Sequence, residues 1–174
     1  MSIRVADKSD IQTIAALHTI SWQTAYRGIL SNDYLTDKIV SERLAVWIDK
    51  LTNPTANQIT FLYEIEAEAQ GFVCAIANKS PQYGTYIDNL HVVPHLKGKG
   101  IGKILMQKVA DWSKQTYNQP NLYLTVLEEN YPAIGFYEKI GGILAQSFIE
   151  KMPSNESKKV RLYTWHSLNL TNRQ

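Results

Sequence analysis

Several common sequence features are missing from this chain. Cys74 is the only cysteine in 174 residues, so no internal disulfide can form. Its apolar setting, Phe72-Val-Cys-Ala-Ile-Ala77, points to a buried thiol rather than a nucleophile. That stretch is also the longest apolar run, far short of a membrane span, and Met1-Ser-Ile-Arg-Val-Ala-Asp-Lys8 lacks the apolar core of a signal peptide. A cytoplasmic protein with no membrane partner is expected. Charge of one sign is scarce too: the net charge is +2, too mild for the broad basic surface that non-specific binding to DNA or RNA requires, so no nucleic-acid partner is expected. No low-complexity tract or internal repeat is present. His91 and His95 have the spacing of a helical metal pair, but Val92-Val93-Pro94 between them cannot be helix interior and no third ligand is near. No metal is expected.

The remaining composition, 44% hydrophobic and 20% charged, is that of an ordinary globular chain. A fold of this length buries roughly 70% of its unfolded surface without metals or disulfides. The reading is a single domain over residues 1–168 followed by a short polar tail, 169–174, that frays. A short strand at 3–6 precedes a helix in which Ser9 and Gln12 form a capping box and Ile11, Ile14, Leu17, Trp22 and Ala25 recur at helical spacing. A second helix carries Ile39, Val40, Leu44, Trp47, Ile48 and Leu51 on one face and closes at Asn53-Pro54. Strands at 59–66, 71–78 and 86–93 follow, then a helix containing Ile101, Ile104, Leu105, Val109 and Trp112, a strand at 122–127, a helix at 130–140 stopped by Gly141-Gly142, and strands at 143–151 and 159–168. Strand, glycine turn, helix and strand in succession make a right-handed crossover, and the whole order indicates a mixed sheet covered by helices.

The densest motif is Lys97-Gly-Lys-Gly-Ile-Gly-Lys103, at the entrance of the third helix. It fails the phosphate-loop pattern because Ile104 follows Gly102-Lys103, and it fails the dinucleotide fingerprint because Gly102 comes one place early. The physics behind both patterns still applies. A helix N-terminus offers unpaired N–H groups, glycines let a ligand approach the backbone, and Lys97, Lys99 and Lys103 add positive charge, so the corner suits a diphosphate.

One strand later comes Asn130-Tyr-Pro-Ala-Ile-Gly-Phe-Tyr-Glu-Lys-Ile-Gly141. Together the two segments resemble the GNAT acetyltransferases, whose pattern [QR]-x-x-G-x-[GA] is met by Lys97-Gly-Lys-Gly-Ile-Gly102 and whose pattern N-x-x-A-x-x-F-Y-E-K-x-G is met at Asn130, Ala133, Phe136, Tyr137, Glu138, Lys139 and Gly141. Leu90-His-Val-Val-Pro94 looks like the family's fourth strand, and residues 3–51 like its first strand and two helices. The resemblance implies an α/β fold with a mixed, mostly antiparallel seven-stranded sheet flanked by helices and splayed between strands 4 and 5. It also implies acetyl-CoA as co-substrate in that splay and an amine as acceptor.

On this resemblance the cofactor is held by Leu90, His91 and Val92, by Lys97, Gly98, Lys99, Gly100, Ile101, Gly102 and Lys103, and by Asn130 and Tyr137. Tyr137 is the expected acid for the departing thiolate, since a phenol stays protonated at physiological pH. A base is needed because an alkyl ammonium holds its proton until about pH 10.4. Strand alternation puts Asp88 beside Tyr86, Leu90 and Val92, which makes it the candidate, with Glu128 and Glu129 as substitutes. Trp22, Tyr26, Arg27 and Tyr86 are candidates for the acceptor side, with a small primary amine expected and a protein N-terminus or lysine as the alternative. Lys97 stands where the family has Gln or Arg, and Gly142 where relatives often carry an aromatic. A non-catalytic acyl-CoA-binding module would keep the corner but lack the acid. The sequence is compatible with a homodimer without specifying one.

Overall fold

The computed structural model describes residues 1–168, and the tail assigned to 169–174 lies outside the described residues. The strands are β1 (Ser2–Val5), β2 (Gln58–Ile65), β3 (Glu68–Ser80), β4 (Gly84–Val92), β5 (Leu122–Leu127), β6 (Ile143–Lys151) and β7 (Ser157–Trp165). The helices are α1 (Ile11–Ala25), α2 (Ile39–Thr52), α3 (Ile101–Tyr117) and α4 (Tyr131–Lys139). All seven strands form one sheet in the order β1-β2-β3-β4-β5-β7-β6. Every pairing is antiparallel except β4 with β5.

That parallel pair is short. Only Thr85↔Leu122 and Tyr86↔Tyr123 are in register, after which the strands part. The cause lies in β4 itself: Cys74 of β3 pairs with Asn89 but Ala75 pairs with Ile87, so Asp88 is an extra residue, a β-bulge that bends the strand. The bulge also resets alternation. Leu90 and Val92 pack toward α3, whereas His91 lies against Phe72 and His18 on the α1 side. The expectation that Asp88, Leu90 and Val92 share a face therefore fails, because an inserted residue inverts the side-chain parity beyond it.

The two sides of the sheet have separate cores. On one, α3 and α4 bury Ile101, Leu105, Met106, Val109, Ile134 and Tyr137 against β2 to β5. On the other, α1 and α2 bury Ile14, Trp47 and Leu51 against Leu62, Phe72 and Cys74. A buried Thr85–Ser113 hydroxyl contact of 2.6 Å ties α3 to the start of β4. Two expectations need correction. The capping box uses Asp7 and Asp10 instead of Ser9 and Gln12: Asp7 accepts from the Ser9 N–H at 2.8 Å and Asp10 from the Asp7 N–H at 2.9 Å, with Arg4 clamped on Asp10. The expected face of α2 is rotated: the buried row is Ile39, Arg43, Trp47 and Leu51, spaced by four, while Val40 and Ile48 are exposed. At the sheet edge, β6 is exposed along its whole length.

Candidate active site

The loop into α3 shows how the glycine corner is built. Gly98 and Gly100 have φ of 80° and 85°, a left-handed conformation that suits glycine, and nothing lies within 4 Å of where a Cβ would stand on either. A ligand could therefore approach this backbone without meeting a side chain at either position. The N–H groups of Gly98, Gly100, Ile101 and Gly102 have no backbone acceptor among the described residues, while Lys97 and Lys99 donate to Pro94 and Leu96. Gly102 does a different job: a Cβ there would sit 3.1 Å from the Phe136 ring, so this glycine lets α4 pack onto the first turn of α3. Two open glycines, uncommitted amides at a helix N-terminus and exposed Lys97 and Lys99 are the donor set that a diphosphate requires.

Between this corner and the opposite side of the sheet lies the splay. Beyond Tyr86 the β5-facing edge of β4 has no partner strand, which leaves ladder N–H groups near Leu90 to Val92 available for an oxygen. Tyr137, on α4, is buried against Phe136, Tyr163 and Trp165. Burial, with smaller contributions from Tyr26 and Tyr86, holds its hydroxyl far above the usual phenol value. The hydroxyl is therefore a proton donor and not an anion at neutral pH. Gly142 explains the absent aromatic, because a Cβ there would lie 2.7 Å from Trp165 and 2.8 Å from the Tyr137 carbonyl. Trp165 of β7 already fills that space.

The predicted acceptor-side residues divide. Tyr26 stands at the splay: burial pushes its hydroxyl up to about 12, partly offset by a hydrogen bond with Asn130. Asn130 caps α4, its side chain accepting from the Ala133 N–H at 3.4 Å, so the structure ties it to Tyr26 and the helix end. Tyr86 lies on the last paired position of β4, 5.0 Å from the Tyr123 ring and 3.4 Å from the Thr125 hydroxyl. Desolvation pushes it up to about 12 as well. Trp22 instead packs inside, with the Arg43 guanidinium 4.6 Å above its ring and Tyr26 at 5.0 Å. Arg27 is exposed in the turn after α1.

The candidate bases are all engaged. Asp88 Oδ2 lies 2.7 Å from Lys50 Nζ and accepts from the Asn89 amide at 2.7 Å. Burial acts to lower the Lys50 ammonium, but Asp88, Cys74 and Asp49 together outweigh it and the net shift is upward. Glu128 pairs with Lys159 and Arg161, and Glu129 with Lys158. Sequence reasoning missed the residues around His91: Ser21 Oγ lies 2.7 Å from its Nδ1, and the His18 ring packs 4.5 Å from it. His18 and Ser21 are three apart on α1, a spacing that places both on one helix face and was the available signal.

No group of three or more metal-ligating side chains occurs among the described residues, and no described helix is long and apolar enough to cross a membrane. A sequence model of the acetyltransferase (GNAT) family matches residues 14–142. The peptidyl-lysine N-acetyltransferase YiaC of Escherichia coli K12 is 31% identical over 139 residues, covering 80% of this chain and 81% of its own. Among solved structures, the PaiA N-acetyltransferase of Thermoplasma acidophilum, in complex with coenzyme A, superposes with a TM-score of 0.70 at 21% identity, over 95% of this chain and 100% of its own. The structure of yncA from Salmonella typhimurium with its cofactor acetyl-CoA gives 0.67 at 16% identity, over 100% and 98%. With a splayed parallel pair, an open glycine corner and a family match over most of its length, this chain belongs to the acetyltransferase (GNAT) family and is an N-acetyltransferase.

Proposed function

We propose that the protein transfers an acetyl group from acetyl-CoA to a primary alkyl amine by direct attack, with the acceptor a small molecule and the reaction cytoplasmic. The observation that carries this reading is the pairing of an open, amide-lined corner at Gly98 and Gly100 with a buried, protonated Tyr137 at the splay. Bound acetyl-CoA supplies the thioester carbonyl. The amides of Gly98 to Gly102 and the Lys97 and Lys99 ammonium groups hold the diphosphate, N–H groups near Leu90 to Val92 hold the carbonyl oxygen, and Tyr137 delivers a proton to the departing sulfur.

The loop after α1 bears on the size of the acceptor. Leu30, Tyr34 and Leu35 are buried against Leu127 and Val160, with Tyr26 packed on the same cluster. A loop packed in this way beside Tyr26 favours a slender amine over a bulky acceptor. YiaC is named for peptidyl-lysine, and a lysine side chain has the same terminal group, so a lysine-containing peptide is the second reading. A thiol-release assay with acetyl-CoA across a linear diamine, glycinamide and a lysine-containing peptide tests both. Stimulation by the free amines over the peptide is expected. The absence of CoA release with every amine, despite a rise in melting temperature with acetyl-CoA, would leave a non-catalytic acyl-CoA binder instead.

A further inference from the structure

Between an ammonium and an amide the nitrogen sheds two protons. One reaches the sulfur through Tyr137, and the other needs an acceptor on the α1 side of the sheet. The carboxylates near the splay are committed: Asp88 to Lys50 and Asn89, Glu128 to Lys159 and Arg161, and Glu129 to Lys158. His91 is differently placed. It lies on the stretch of β4 that has no β5 partner, half-buried, with its Nδ1 2.7 Å from the hydroxyl of buried Ser21 and no protein partner on Nε2 among the described residues.

We propose that His91, oriented by Ser21, takes the proton of the acceptor amine on its Nε2. This rests on the reading of the protein as an acetyl-CoA-dependent N-acetyltransferase. When Nδ1 carries the hydrogen and donates it to Ser21 Oγ, the lone pair stays on Nε2. The ring is held on two further sides, by Phe72 at 5.2 Å and His18 at 4.5 Å between centroids. His18 does not compete for the proton. Its Nδ1 accepts the Trp47 indole N–H at 3.0 Å, and it is almost fully buried, so it stays neutral with its hydrogen on Nε2.

The ionisable groups facing His91 are His18 from α1, Arg43 from α2 and Lys97 from the turn after β4. Burial first, then Lys97 and Arg43, brings its pKa down to about 3, so the free enzyme presents a neutral imidazole. Lys97 belongs to the glycine corner, and a diphosphate there offsets its field. That relieves the contribution of Lys97 and leaves burial, the largest cause, in place. The balance is complete: the N–C bond forms, the C–S bond breaks with its electron pair on sulfur, and Tyr137 protonates that sulfur. The second nitrogen proton restores Tyr137, and the first leaves through His91 to water.

The test is thiol release by wild type, His91→Gln, His91→Asn and Ser21→Ala at saturating acetyl-CoA between about pH 6 and 10, with the most active amine of the panel. His91→Gln is expected to lower kcat about 100-fold at pH 7 while keeping the acetyl-CoA-induced rise in melting temperature. Its rate should then climb about tenfold per pH unit toward wild type, since an amine that is already neutral needs no base. His91→Asn repeats the measurement should the Gln variant fold poorly. Ser21→Ala should lose about tenfold in kcat with KM for acetyl-CoA unchanged. Rates within twofold of wild type, or a pH-independent loss that tracks a lowered melting temperature, overturn the proposal. A wild-type enzyme that releases no CoA with any amine overturns the transferase reading itself, which separates the two failures.

Discussion

Replacing Asp88 by Asn removes the partner of Lys50 at the β4 bulge, and the structure sets the size of the effect. At 2.7 Å the bare attraction is about 6 kcal/mol for an effective dielectric near 20. The side chains are 19% and 25% exposed, so desolvation and screening cancel most of it and the net coupling is roughly 1–2 kcal/mol. A single substitution also strands the other partner in a largely buried place, so Asp88→Asn and Lys50→Met should each cost roughly 2 kcal/mol. The double variant should cost less than the sum. Urea unfolding of the four proteins measures this directly through the midpoints at constant slope. Turnover per folded molecule should hold up in Asp88→Asn if the carboxylate clamps α2 to the bulge. An unchanged midpoint together with a collapse of kcat would refute the clamp and make Asp88 the base.

Tyr137→Phe should retain the acetyl-CoA-induced rise in melting temperature and lose turnover by about 100-fold or more, read as kcat in the thiol assay. Gly100→Ala should cost about 1 kcal/mol, because its φ of 85° penalises a Cβ, and it should also raise KM for acetyl-CoA by crowding the open corner. Gly142→Ala should destabilise by roughly 2 kcal/mol, since its Cβ would meet Trp165 at 2.7 Å, and calorimetry would show it. Acid should weaken the fold through His18 and His91. Both have depressed pKa values in the folded state, so the unfolded chain binds their protons first; stability is complete above about pH 6.5 and falls as pH drops below it, for His91 down to about 3. The melting temperature should decline between about pH 6.5 and 4.5, and less steeply in His18→Gln.

Much of this protein was legible in its residues. Apolar periodicity and turn residues located the strands and helices, because local spacing decides which face of an element is apolar. The family was legible for a related reason: a helix entrance rich in glycine and lysine, followed one strand later by Asn130 to Gly141, specifies local backbone geometry in contiguous residues. What the sequence could not convey depended on residues far apart in the chain. The bulge at Asp88 exists only in register with Cys74, so the faces of Asp88, Leu90 and His91 followed from pairing and not from alternation. The Lys50–Asp88 pair spans two elements, and so does the hydrogen bond between Ser21 and His91. Whether a carboxylate or an imidazole is free to accept a proton is settled by its neighbours in space, and those neighbours came together only when α1 and α2 packed across the splayed strand.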